Sequence, residues 1–272
     1  MAPVVWLVFT AFAYLGASAL LALQGSGRAR HPLLSRRAPG LTLGLAAVVL
    51  HTIALRQQLF VGDGLNLGVF QVASLVGWQI AIVVLVAAAR LPMAGLAALT
   101  LPLVAVAAVM PAWFQSATVL ENLGRQLEAH ILLSLLAYAL LAVAAVQALL
   151  LTAQDRHLRG HRPGGWVRAL PPLEAMESLL FKLIAWGFVL LGLSLATGFL
   201  FVDDLLAQHL VHKTVLSVLA WVLFGVLLWG RWQRGWRGRT ALRWTLTAFA
   251  VLALAYFGSK LVLELILGRH WG

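Results

Sequence analysis

Residues Leu127 to Leu151 read LEAHILLSLLAYALLAVAAVQALLL, twenty-five positions whose one formal charge, Glu128, stands at the start. A helix needs about 20 mostly apolar residues to cross roughly 30 Å of hydrocarbon, so this stretch is long enough to span a bilayer. Its Leu, Ala and Val run continuously, without the period-two alternation of a membrane strand, which predicts a helix and excludes a barrel.

Working outward, seven further runs of the same character are bounded by charges, Pro, Gly or polar clusters. They are Pro3 to Leu23, Leu41 to Leu55, Leu67 to Ala89, Met93 to Met110, Phe181 to Val202, Thr214 to Gly230 and Ala241 to Leu267. The second is short and is expected to continue through Arg56 and Gln57, with their side chains reaching the interface. The fourth carries Pro102 in its interior. A membrane helix tolerates that kink when neighbours satisfy the freed carbonyl. The expected fold is therefore all-α, a bundle of eight transmembrane helices forming one integral membrane domain over residues 1–272. The first run has no Lys or Arg before it and is longer than a signal-peptide core, so it is read as a retained helix.

Composition agrees: 62% of the 272 residues are apolar and 11% charged. A soluble domain could not cover its core with so few charges, and a disordered chain would be far more polar. The chain has no cysteine, which excludes disulfides, thiolate metal sites and thiol chemistry. Its net charge of +11 raises the question of nucleic acid, which the placement of the charges answers. Fourteen of the twenty cations fall in alternate loops: residues 24–40, residue 90, residues 152–180 and residues 231–243. Arg56, Arg125, Lys213 and Arg269 are on the other side. This is a positive-inside pattern that places both termini outside, in a bacterial inner membrane, and needs no nucleic-acid partner. Trp229, Trp232, Trp236 and Trp244 cluster toward the inner interface, with Trp113 and Trp271 toward the outer one.

The histidines divide by side. His31, His157 and His161 lie in Arg-rich loops and read as solvated. His51 and His130 sit within spans, each an expected 6–8 Å inside its helix end on the outer side. Imidazoles inside a membrane are costly and tend to face the bundle interior. Two readings stand for them. Each hydrogen-bonds a neighbouring helix, or the pair ligates a haem iron, since two neutral imidazoles can clamp a planar macrocycle in an apolar slot. His209 and His212, three apart in the sixth loop, and His270 near the C-terminus are weaker candidates on the same side. Tyr138, two turns from His130 and read on the same face, is a candidate wall or hydrogen-bond donor for a bound ring. P-loop, dinucleotide-fingerprint and His-Glu-x-x-His patterns are missing from the sequence, as are mid-span acidic pairs of a proton-coupled transporter.

Several ordered segments carry a family resemblance. His130-Ile-Leu-Leu-Ser-Leu-Leu-Ala-Tyr-Ala-Leu, Pro171-Pro-Leu-Glu-Ala-Met-Glu and Thr197-Gly-Phe are followed by Lys213-Thr-Val-Leu-Ser-Val-Leu-Ala-Trp221, Arg231-Trp-Gln-Arg-Gly-Trp-Arg-Gly238 and Ala255-Tyr-Phe-Gly-Ser. Over about residues 40–265 the chain resembles the cytochrome c assembly membrane proteins of CcsA and CcmC type. It looks closest to their small eight-helix branch, described as YpjD-like or HemX-like. The resemblance implies haem handling at the outer face, with His51 and His130 matching the family's membrane histidines and haem b as the cofactor. It also implies the bilayer, haem and an apocytochrome c or another maturation membrane protein as partners. Binding and passing on haem requires no bond chemistry of the chain's own. Asp203 to Thr214 lacks the tryptophan-rich segment of family members that deliver haem, and Trp229 stands where a histidine is expected. A scaffold descended from haem proteins is the first rival reading. A small transporter using Gln71, Ser74, Gln79, Ser134 and His130 is the second.

Overall fold

A computed structural model describes residues 2–25, 37–61, 64–91, 93–114, 119–120, 124–159, 170–201 and 208–255. The apolar runs fold as helices α1 (Ala2–Gly25), α2 (Ala38–Leu59), α3 (Val69–Arg90), α4 (Ala94–Trp113), α5 (Arg125–Arg159), α6 (Leu173–Phe201), α7 (Gln208–Arg234) and α8 (Gly238–Ala253). Seven of them are long and apolar enough to cross a membrane. The described part of α8 has 16 residues, and the rest of the expected span to Leu267 lies outside the described residues. The chain is thus a multi-pass helical membrane protein with at least seven spans. As expected, α2 runs past Arg56.

Among the described residues, the helices are joined by a small antiparallel sheet of order β1-β2-β3: β1 (Phe60–Val61), β2 (Gly64–Asn66) and β3 (Val119–Leu120). Val61 pairs with Gly64, and Leu65 with Leu120. Its cause is local chemistry that helix-scale periodicity does not register. The short apolar ends after α2 and α4 offer backbone groups that would otherwise lack partners.

The chain divides into two compact units, residues 1–120 with 153–173, and residues 121–152 with 174–272. In the first, α1 packs against α2 and α4, and α3 packs against α2 and α4. Tyr14, Ala17 and Leu21 of α1 are fully buried there, as are Leu96 and Leu101 of α4. In the second, α7 packs against α8, and the buried Leu141 of α5 lies against Gly187 of α6. Large apolar side chains such as Phe12, Leu103, Trp186 and Phe199 are exposed, as expected of surfaces whose solvent is lipid.

Pro102 shows how the sequence's main irregularity is accommodated. Lacking an N–H, it leaves the carbonyl four residues earlier, that of Ala98, without its helical partner. Ser18 of α1 donates its hydroxyl to that carbonyl at 2.6 Å. The α1–α4 contact therefore carries a hydrogen bond that α4 cannot make for itself. We expect Ser18→Ala to lower stability by about 1 kcal/mol in detergent. In a Pro102→Ala background, where residue 102 again donates to Ala98, the loss should shrink toward zero. Thermal melts of the four members of this double-mutant cycle check the coupling, and a fully additive cycle would contradict it.

Candidate functional site

The two membrane histidines belong to different units, and the chain treats them differently. His51 of α2 is completely buried. Tyr14 of α1 meets its Nδ1 at 3.1 Å, and Ser74 of α3 meets its Nε2 at 2.9 Å. The Tyr14 and His51 rings lie edge to face, with centroids 5.7 Å apart. Both ring nitrogens are thus committed, one accepting and one donating, and three helices are joined at one point. The next residue of α2, Thr52, donates to the Val48 carbonyl and accepts from the indole N–H of Trp78 on α3. Because α2 extends to Leu59, His51 lies about 12 Å along the axis from its helix end, deeper than the 6–8 Å expected.

His130 of α5 is half-buried, and its partners come from α6. Its Nδ1 lies 3.0 Å from the hydroxyl of Thr197. That hydroxyl has a single hydrogen, which it directs to the carbonyls of Leu193 and Ser194 within its own helix, both at 3.0 Å. When that hydrogen stays within α6, Thr197 accepts from His130, an arrangement that puts the ring proton on Nδ1 and leaves Nε2 with a lone pair. Below the ring, Ser134 donates to the His130 carbonyl at 2.6 Å and meets the Ser194 hydroxyl at 2.6 Å, tying the same turns of α5 and α6 together. Gly198 sets the distance between the two helices here. A Cβ at that position would stand 2.9 Å from Cε1 of His130, so only glycine lets the imidazole lie against α6.

An imidazole with Nδ1–H held by an oxygen acceptor and Nε2 bare is the form in which histidine binds a metal, the acceptor fixing tautomer and ring orientation. His130 has that arrangement. His51 does not, because binding through either nitrogen would first break a buried hydrogen bond. Among the described residues no cluster of three or more His, Asp or Glu could hold a metal ion, so any ligand set here rests on separate imidazoles.

The remaining candidates fall elsewhere. Tyr138 rests its ring against Phe249 of α8, with centroids 5.6 Å apart, whereas His130 turns to α6. Eight residues advance a helix by about 80° beyond two full turns, so the two side chains engage different neighbours and do not share a face. The backbones of His209 and His212 lie in the first turns of α7, with their side chains outside the description, and His270 is outside the described residues. Sequence reasoning missed Tyr14 and Ser194, and it met Thr197 only as part of a motif. For Tyr14 a signal exists, since a tyrosine inside an otherwise apolar span must bring its hydroxyl to a partner. No local signal marks Thr197, which is 67 residues from His130.

Comparison with known proteins follows from this geometry. The family model for cytochrome C assembly protein matches residues 41–267. The chain is 38% identical over 228 residues to Inner membrane protein YpjD of Escherichia coli K12, covering 81% of this chain and 84% of the relative. Over 131 residues it is 23% identical to Protein HemX of Brevibacillus brevis, covering 47% of this chain and 48% of that one. Over 91 residues it is 25% identical to Cytochrome c biogenesis protein CcsA of Nostoc punctiforme, covering 33% of this chain and 26% of that one. No solved structure matches the chain.

The tautomer assignment can be tested without any ligand. In protein labelled with ¹⁵N at histidine, the His130 side chain should give the shift pattern of an Nδ1–H imidazole. Thr197→Val should move it toward Nε2–H, and Thr197→Ser should preserve it. A wild-type ring protonated on Nε2 would refute the assignment.

Proposed function

The chain belongs to the cytochrome c assembly protein family, and from that premise we propose that it is a haem-handling protein of cytochrome c maturation or haem trafficking. It binds haem b near the outer face of a bacterial inner membrane and passes it on without making or breaking bonds itself. The inner-membrane assignment leans on the name of the Escherichia coli relative and on the apolar helices. The alternation of Arg-rich and Arg-poor loops supports eight spans with both termini outside.

The observation that carries this reading is the held imidazole of His130. Thr197 fixes its proton on Nδ1, Gly198 gives the ring room, and Nε2 is left with the lone pair that an axial ligand needs. His51 would be the second ligand in this reading, through the Nε2 that Ser74 meets, with Tyr14 at Nδ1. Bound haem supplies a redox-active iron with two axial positions and a planar apolar ring suited to a slot between helices. Apocytochrome c or another maturation membrane protein is the receiving partner.

The closed Tyr14–His51–Ser74 cluster favours one other reading, a family scaffold in which His51 only joins three helices and no haem is held.

Reduced-minus-oxidised visible spectra of purified protein, expressed with haem supply, separate the two. Wild type should show sharp low-spin bands that His130→Ala and His51→Ala each abolish, whereas Ser74→Ala, which only frees Nε2 of His51, should keep them. A folded but colourless wild type would leave the scaffold in front.

Orientation has its own check, because the natural chain has no cysteine. A membrane-impermeant maleimide added outside should label Ser116→Cys and spare Gly160→Cys. The reverse result would invert the topology.

A further inference from the structure

At the Arg-rich end of the second unit, the start of α6, the end of α7 and the α7–α8 connection enclose a cleft of about 500 Å³. Its frame is built from side chains with fixed partners. Glu177 accepts the backbone N–H of Gly238 at 2.8 Å, which caps α8 at a position of left-handed backbone, φ +53°. Arg231 lies over the ring of Phe181, 4.6 Å from its centroid, and donates to the Trp236 carbonyl at 3.3 Å. Lys182 and Arg237 complete the charged lining, with Glu174 at the edge. Arg237 is the residue before α8, yet its side chain makes no capping hydrogen bond.

Among the described residues the one ion pair is Arg159 with Asp155. Neither carboxylate of the cleft forms an ion pair with Lys182 or Arg237, and Glu177 is already committed to the α8 cap. Three cations and two carboxylates line the one concavity, so its formal charge stays positive. The floor is apolar, formed by Phe181, Ala185 and Leu228. It continues along α6 to Trp186 and Val189, which are 67% and 48% exposed. On α7 the neighbouring Trp232 is 81% exposed, the placement of an indole at the headgroup level.

We propose that this cleft binds the phosphodiester of a membrane phospholipid. Lys182, Arg231 and Arg237 hold the phosphate, and an acyl chain lies along the exposed apolar side of α6. Basic pockets at the Arg-rich ends of membrane helices suit such headgroups, and a guanidinium matches the phosphate oxygens two at a time. The apolar floor decides for a lipid over a free anion, because inorganic phosphate would gain nothing from Phe181, Ala185 and the α6 surface beyond them.

The test is native mass spectrometry and thermal melting of the full chain in a non-ionic detergent, with short-chain phosphatidylglycerol as the probe. Wild type should retain the lipid and melt at a higher temperature in its presence. Lys182→Ala/Arg237→Ala should retain it about tenfold less or worse. Arg234→Ala, whose guanidinium stacks on Trp229 instead, should behave as wild type. Diacylglycerol of the same chain length, which lacks the phosphate, should not be retained, and inorganic phosphate alone should not shift the melt. Equal retention by the double variant would overturn the proposal. So would a full shift from inorganic phosphate, which would make this a free-anion site. Both substituted residues are exposed, and Lys182→Arg/Arg237→Lys, which keeps the charge, should retain the lipid.

Discussion

Once Pro102 withdraws its N–H from α4, the Ala98 carbonyl faces a medium without water, and only another part of the protein can supply its hydrogen bond. Ser18 does so from α1. The same constraint recurs wherever a polar group enters a span. Gln147 donates to the Met176 carbonyl and Gln154 to that of Pro171, each near the start of α6, and the Trp221 indole donates to the Phe188 carbonyl inside α6. Helix packing driven by apolar burial alone would be weak here, because lipid is as apolar as leucine. Directed hydrogen bonds choose which helix faces meet.

The two histidines follow from this constraint by different routes. His51 is satisfied twice over, by Tyr14 and Ser74, and so fixes α1, α2 and α3 at one depth. His130 is satisfied on one nitrogen only, by a hydroxyl whose own hydrogen is engaged within α6. A hydroxyl bonded back to its own helix acts as an acceptor, which favours an imidazole protonated on the facing nitrogen. In chemical terms the first arrangement resists a ligand and the second presents one.

At the Arg-rich end the balance changes. There the headgroup region tolerates charge, and the side chains that frame the cleft divide between structure and surface. Glu177 and Arg231 bond to backbone and so shape the α7–α8 turn, while Lys182 and Arg237 line the same concavity without an ion pair. The start of α8 depends on Glu177.

Hydropathy and the spacing of charges determined the helical membrane fold and the alternation of basic loops, though not the helix ends, because the bilayer acts on every residue of a span alike and leaves a long, continuous signal. Even the carbonyl freed by Pro102 could be foreseen as needing a partner. The sequence also marked His51 and His130 as costly polar groups. It did not reveal that Ser18 is the partner of Ala98, that Tyr14 closes His51, or that Thr197 sets the proton of His130. It paired Tyr138 with His130, whereas the helix turns them to different neighbours, and it offered no sign that the ends of α2 and α4 meet in a small sheet. These depend on contacts between residues tens of positions apart, through single hydrogen bonds that add nothing to hydropathy or periodicity. Only the tertiary structure decides which of two similar imidazoles keeps a free nitrogen.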